Sequence, residues 1–272
     1  MAHRRPRRAG FLAPVLWVPA GLALALLVLP LVALVVRAPW STLPQLLARS
    51  EVLQALGLSL GTAAISTAVA LVLGVPLALV LARSAEWSAA PRRLLRALVT
   101  VPLVLPPVVG GVALLLLLGR RGLIGERLDA WFGITIPFTT AAVVIAQVFV
   151  AMPFLVLAVE GAVRASDRRF EIAAATLGAS RWTVFRRVTL PLVAPGVSAG
   201  ALLCFTRALG EFGATITFAG SFPGVTQTLP IATYLELQRD PDAAIALSLV
   251  LMIVSVAVLV SLRDRWVPGL TS

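Results

Sequence analysis

The sequence predicts an all-α polytopic membrane protein with about six transmembrane helices. Three observations carry this reading. Of 272 residues, 59% are hydrophobic and the mean hydropathy is +0.98, well outside the range of soluble globular chains. The apolar residues gather into runs of roughly 20, the length that crosses a hydrocarbon core of about 30 Å as a helix. Between the runs lie short stretches rich in arginine, the residues that set the orientation of membrane spans.

In chain order, a basic tail (1–10) carries four arginines between His3 and Arg8. Phe11–Val36 is the first span, too long and followed by too many others to be a cleaved signal peptide. With the more polar stretch to residue 55 it precedes a core over 56–262. The spans of that core are expected at Leu56–Leu81, Ala97–Leu118, Phe138–Val159, Leu192–Phe218 and Ala243–Leu262. Pro102, Pro106 and Pro107 are expected to kink the third, and Gly110 and Gly111 to loosen it. Ala219–Pro241 reads as a loop and 263–272 as a second tail.

Six spans put both termini on one side. That side carries sixteen arginines, the other carries six, and Arg207 lies within a span. The richer side, with both termini, is therefore expected to be cytoplasmic. A net charge of +11 arranged this way speaks for membrane topology and not for nucleic acid.

Residue types exclude much chemistry. All 23 basic residues are arginine, so a phosphate-binding loop that needs a lysine cannot exist here. If ATP drives the protein, another chain must hydrolyse it. Cys204 is the only cysteine and His3 the only histidine, which leaves no intrachain disulfide, metal cluster or imidazole machinery.

Asp167–Pro191 differs from everything around it: basic, amphipathic and punctuated as two short helices. Asp167 can cap the first, and Gly178 suits the left-handed residue that ends it. Ser180 can cap the second, with Trp182, Phe185 and Val188 on one side and Arg186 and Arg187 on the other. Pro191 falls where a new membrane helix can begin. Such a unit either holds a partner or lies at the interface with its arginines reaching the headgroups.

Inside the fifth span, Arg207 and Glu211 stand four residues apart on one helical face. Each costs about 2.5–3.5 kcal/mol at mid-bilayer on insertion scales, so they must pair or face a protein-lined cavity. This marks a pathway or gate helix, or else a structural ion pair. Gly196, Gly200, Gly210 and Gly213 permit close helix contact. Thr215 and Thr217 can offer hydroxyls to a polar solute or bond their own backbone.

The stretch around Gly178 resembles the "EAA" loop of ABC-importer permeases: Glu-Ala-Ala, three residues, Gly, nine residues, Ile-x-Leu-Pro. Ala173, Ala174, Gly178, Leu190 and Pro191 match in spacing, and Val188 replaces isoleucine. Ile172 occupies the glutamate position, with Glu171 one residue earlier, about 100° around a helix. The resemblance implies a type I (MetI-like) permease fold, with a coupling loop at about 164–191 that docks on a cytosolic ATPase through Glu171, Trp182 and Phe185 among others. It also implies a homodimer, two ATPase subunits binding ATP and Mg, a periplasmic or extracellular oxyanion-binding protein, and a bacterial cell-membrane location; this chain itself holds no cofactor.

More finely, Arg207–Tyr234 resembles the molybdate branch, with Gly210–Ala214 shared with sulfate permeases. Thr226, Gln227 and Thr228, in the outer loop, lie closer to the molybdate pattern. The implied function is uptake of molybdate or tungstate by alternating access. Sulfate or thiosulfate import is the alternative. A secondary transporter would want more ionisable residues at mid-membrane. A membrane enzyme would want a catalytic set that Glu160, Asp167 and Glu171 do not match.

Overall fold

The structure, a computed structural model, describes residues 16–84 and 87–261. Both expected tails, residues 11–15 of the first span and Leu262 at the end of the last lie outside these. Helices are the only regular elements among the described residues, as hydrocarbon demands: each backbone polar group finds its partner within its own segment. In order they are α1 (Trp17–Arg37), α2 (Leu43–Leu47), α3 (Ser50–Arg83), α4 (Ala89–Val104), α5 (Pro107–Leu118), α6 (Gly125–Phe132) and α7 (Thr140–Ala165). Then come α8 (Arg169–Thr176), α9 (Arg181–Val184), a π turn (Phe185–Thr189), α10 (Leu190–Leu209), α11 (Gly213–Ala219), α12 (Leu229–Glu236) and α13 (Pro241–Ser261).

The centre is a bundle of α3, α7 and α10. On α3, Ser59, Ala63, Ser66, Ala70, Gly74 and Ala78 recur every three or four residues and form one buried face of small side chains. Small residues let backbones approach where lipid supplies no hydrophobic drive between helices. A Cβ on Gly74 would stand 3.0 Å from Leu155 of α7, and one on Gly200 of α10 would stand 3.1 Å from Ala158 and Leu155. Gly196, one turn earlier, faces Ala162 in the same way. By contrast α1 packs against α13 and buries none of its described residues.

Two expected spans are broken. The third is not one kinked helix: α4 and α5 meet at 115°. Leu105 and Pro106 are both extended (ψ 133° and 132°), the conformation a following proline imposes. Gly110 and Gly111 do not loosen α5. Gly111 packs it onto α11, where a Cβ would lie 2.8 Å from the Ala214 carbonyl oxygen.

The fifth span ends at Leu209, and α11 starts anew at Gly213. At its other end α10 begins at Leu190 with Pro191 in its first turn, but it continues α9 and the π turn without a gap. Arg181–Leu209 is continuous over 29 residues. The proline ring would clash with the carbonyl four residues back, and the widened π turn lies just ahead of it. The loop expected at Ala219–Pro241 holds α12, whose Leu229 and Ile231 are fully buried.

Glycine substitutions test this packing. Gly111→Ala meets backbone and is expected to cost about 1–3 kcal/mol, read as a lower thermal midpoint of the purified protein. Gly61→Ala, with nothing within 4 Å, is expected to leave the midpoint unchanged or raise it.

Candidate functional site

The two-helix segment forms as its punctuation requires. Asp167 accepts the Arg169 N–H (2.9 Å) and Ser180 the Thr183 N–H (3.2 Å). Gly178 between them adopts φ 84°, a region closed to most side chains. Its free surface carries apolar side chains among exposed arginines: Phe170, Ile172, Leu177 and Trp182 are all exposed, Leu177 to 89%, beside Arg168, Arg169, Arg181, Arg186 and Arg187. Trp182 and Phe185 pack ring on ring with centroids 5.5 Å apart. Ala173 is exposed and Ala174 half-buried, while Leu190 and Pro191 lie on the outer side of the rod that follows.

Glu171 faces the other way. Its carboxylate accepts the Thr189 hydroxyl at 2.6 Å and lies 3.8 Å from the Arg83 guanidinium. Ile172, at the motif's glutamate position, takes the outward place with 61% exposure. Glu160 is bound by Arg96 (3.1 Å) and Arg164 (2.7 Å). Asp167, Glu160 and Glu171 thus each serve a different partner and do not converge as a catalytic set.

At the far end of α10, Arg207 and Glu211 do pair, with Nη1 and Oε2 2.6 Å apart. They do not share a helical face, because Glu211 stands in the break between α10 and α11. Its second oxygen accepts the Ala214 N–H at 2.9 Å and caps α11. Glu211 is 1% exposed and the Arg207 side chain 28%, so the arginine is the member within reach of a solute. Phe212, in the same break, packs on Tyr234 of α12 with ring centroids 5.0 Å apart.

Around this break the candidates divide. Gly210 is open, whereas a Cβ on Gly213 would stand 2.8 Å from Pro107. Thr217 bonds its own backbone at Gly213 (2.8 Å), and buried Thr215 keeps a hydroxyl without a partner among the described residues. Thr226 and Thr228 are buried. The Thr226 hydroxyl accepts the Phe222 N–H, and that of Thr228 has no partner among the described residues. Gln227 lines a cavity of about 310 Å³ with Arg49, Glu51 and Glu236.

Several residues escaped the sequence reading. Ser59 accepts the Leu229 N–H at 2.6 Å and Ser66 bonds Gln147 at 2.9 Å. Ser59, Thr62 and Ser66, three or four apart in an apolar run, were the available signal. Thr189 and Arg83 gave none.

Residues 70–268 match the family described as "Binding-protein-dependent transport system inner membrane component". The chain belongs to this family. It is 52% identical over 249 residues to the molybdenum transport system permease protein ModB of Mycobacterium tuberculosis, covering 92% of this chain and 93% of that one. Against the protein of the same name from Escherichia coli the identity is 45% over 175 residues, covering 64% and 76%. A crystal structure of a bacterial alginate ABC transporter in complex with its alginate-bound periplasmic protein contains a chain that superposes with a TM-score of 0.70 at 16% identity, covering 93% of this chain and 96% of that one. The permease therefore has the type I ABC-importer fold.

The charge pair yields a stability test. Glu211→Ala leaves Arg207 unpaired and α11 uncapped, an expected cost of about 3–5 kcal/mol, seen as loss of folded protein in membranes. Arg207→Met with Glu211→Gln, which removes both charges and keeps a cap acceptor, is expected to be better tolerated than Glu211→Ala.

Proposed function

We propose that this chain is the transmembrane permease subunit of an ATP-driven importer of molybdate, and of tungstate as a close chemical analogue. One structural observation carries the coupling: the second helix of a two-helix loop with exposed apolar side chains runs without a break into the helix that bears Arg207. The relatives named for molybdenum transport support the substrate.

Two copies of the permease enclose the pathway, and two cytosolic ATPase subunits bind and hydrolyse ATP with Mg. The coupling loop docks in an ATPase groove through Phe170, Ile172, Leu177 and Trp182. Ala173 and Ala174 allow close approach, and Gly178 sets the turn. The arginine-rich end, with both termini, lies in the cytoplasm. A binding protein delivers the oxyanion at the opposite face, near Thr226, Gln227 and Thr228.

Closure of the ATPases moves the loop, and the continuous helix carries that movement to Arg207 and the α10–α11 break. There a single cation, already matched by Glu211, attracts a tetrahedral dianion without trapping it. Gly210, Gly213, Thr215 and Thr217 shape this part of the path.

The deciding measurement is ATPase activity of the reconstituted complex with the binding protein loaded in turn with molybdate, tungstate or sulfate. Stimulation by molybdate or tungstate and not sulfate is expected. Equal stimulation by sulfate makes the complex a sulfate permease, and failure to associate with any ATPase removes the coupling. Gly178→Pro, which forbids φ 84°, is expected to leave the spans folded and abolish uptake at equal membrane abundance. Unaltered uptake excludes the loop from the mechanism.

A further inference from the structure

Hydroxyls in membrane helices usually satisfy themselves on their own backbone. Thr62, Thr67, Thr206 and Thr233 all donate to the carbonyl four residues back, at 2.7–3.0 Å. Thr189 does not. It is 2% exposed, closes the π turn, and donates at 2.6 Å to a carboxylate eighteen residues earlier in α8. That length belongs to a charge-assisted O–H···O⁻ bond. Arg83, from the end of α3, stands 3.8 Å from the other carboxylate oxygen. Three helices therefore meet on one side chain, at the edge of a concavity of about 400 Å³ between α8 and α9.

The position of the contact matters. A π turn is a local widening of the helix, with one extra residue in its winding, and is frequent at functional sites. Here it lies between the exposed apolar surface of α8 and α9 and the rod that reaches Arg207. A movement imposed on α8 can be absorbed there by rewinding, or it can be passed on. A bond from α8 to the last residue of the turn decides between the two, because it ties the short helix directly to the start of α10. Glu171 is the only acidic side chain in the two-helix segment after Asp167, and both its carboxylate oxygens are engaged within this junction.

We infer that Glu171 and Thr189 form an internal latch that makes the coupling loop and α10 move as one body, so that Glu171 acts as a positioning residue within the permease and not as a contact to the ATPase. This rests on the coupling role proposed above and deepens it. Ile172, exposed at the motif's glutamate position, then offers the ATPase an apolar side chain in place of a carboxylate.

Two measurements on the full-length permease test this. The first needs no partner: tryptic cleavage at Arg181 in the purified protein. Thr189→Val is expected to speed cleavage by about tenfold, the factor carried by loss of one hydrogen bond to a charged group, and Thr189→Ser to restore protection. Unchanged cleavage in Thr189→Val overturns the latch.

The second uses the complex with its ATPase and molybdate-loaded binding protein in liposomes, read as molybdate taken up per ATP hydrolysed. Thr189→Val is expected to lower this ratio with the amount of co-purified ATPase and its basal hydrolysis unchanged, and Thr189→Ser to restore it. In a Glu171→Ala background, Thr189→Val is expected to add no further loss. Independent, additive losses overturn the latch. So does a Glu171→Ala variant that sheds the ATPase while Thr189→Val behaves as wild type, since Glu171 is then a partner contact. A wild-type complex that never responds to loaded binding protein refutes the importer reading, and the cleavage result still judges the latch.

Discussion

A single carboxylate lets this permease interrupt the rod that ends at Leu209 in an apolar setting. Ending α10 at Leu209 and restarting at Gly213 frees backbone N–H groups that lipid cannot satisfy. Glu211 answers one of them through the Ala214 N–H and with its other oxygen neutralises Arg207. The two tasks are linked. A neutral cap would leave the guanidinium uncompensated, and a carboxylate placed elsewhere would leave α11 without its first acceptor. With Glu211 in place, α11 is free to leave the axis of α10 and lie against α5 and α7, where Ala214 and Phe218 join Leu114, Val143 and Ala146.

Close backbone approach does the rest. Gly196 against Ala162, Gly111 against Ala214 and Gly213 against Pro107 make contacts in which a methyl group has no room, and Gly74 and Gly200 against Leu155 are nearly as close. These join α3, α7 and α10 into one bundle and α5, α7 and α11 into a second cluster alongside. Since α7 belongs to both, the arrangement of the break is tied to the centre of the fold. Hydroxyls add specific links: Ser59 holds the start of α12, and Ser66 holds Gln147.

Spans were legible because hydrocarbon requires long apolar runs, and each expected run corresponds to a helix or helix pair. Their ends were less so. α3 begins at Ser50, six residues before its apolar run, because Glu51 and Gln54 occupy exposed positions on an otherwise helical stretch. Pro106 and Pro107 announced a disturbance, but no local rule gives 115°. Arg207 and Glu211 at a spacing of four looked like one helical face, and the same spacing also fits a helix end whose carboxylate folds forward onto the next helix. Pro191 was equally two-sided, since a proline that opens a helix and one that follows a π turn have the same neighbours in sequence. The Glu171–Thr189 bond joins residues across a turn and left no periodic trace, whereas the cap residues Asp167, Gly178 and Ser180 act locally and were readable.

The uninterrupted helix from Arg181 to Leu209 spans about 43 Å at 1.5 Å per residue. It approaches α7 closely at Gly196 and Gly200, near its midpoint. A tilt about this point of closest approach would drive the two ends of the helix in opposite directions. With arms of roughly 16–25 Å, a rotation of about 10° displaces each end by some 3–4 Å. On the import role proposed above, one helix would then narrow the passage at one membrane face in the same stroke that widens it at the other.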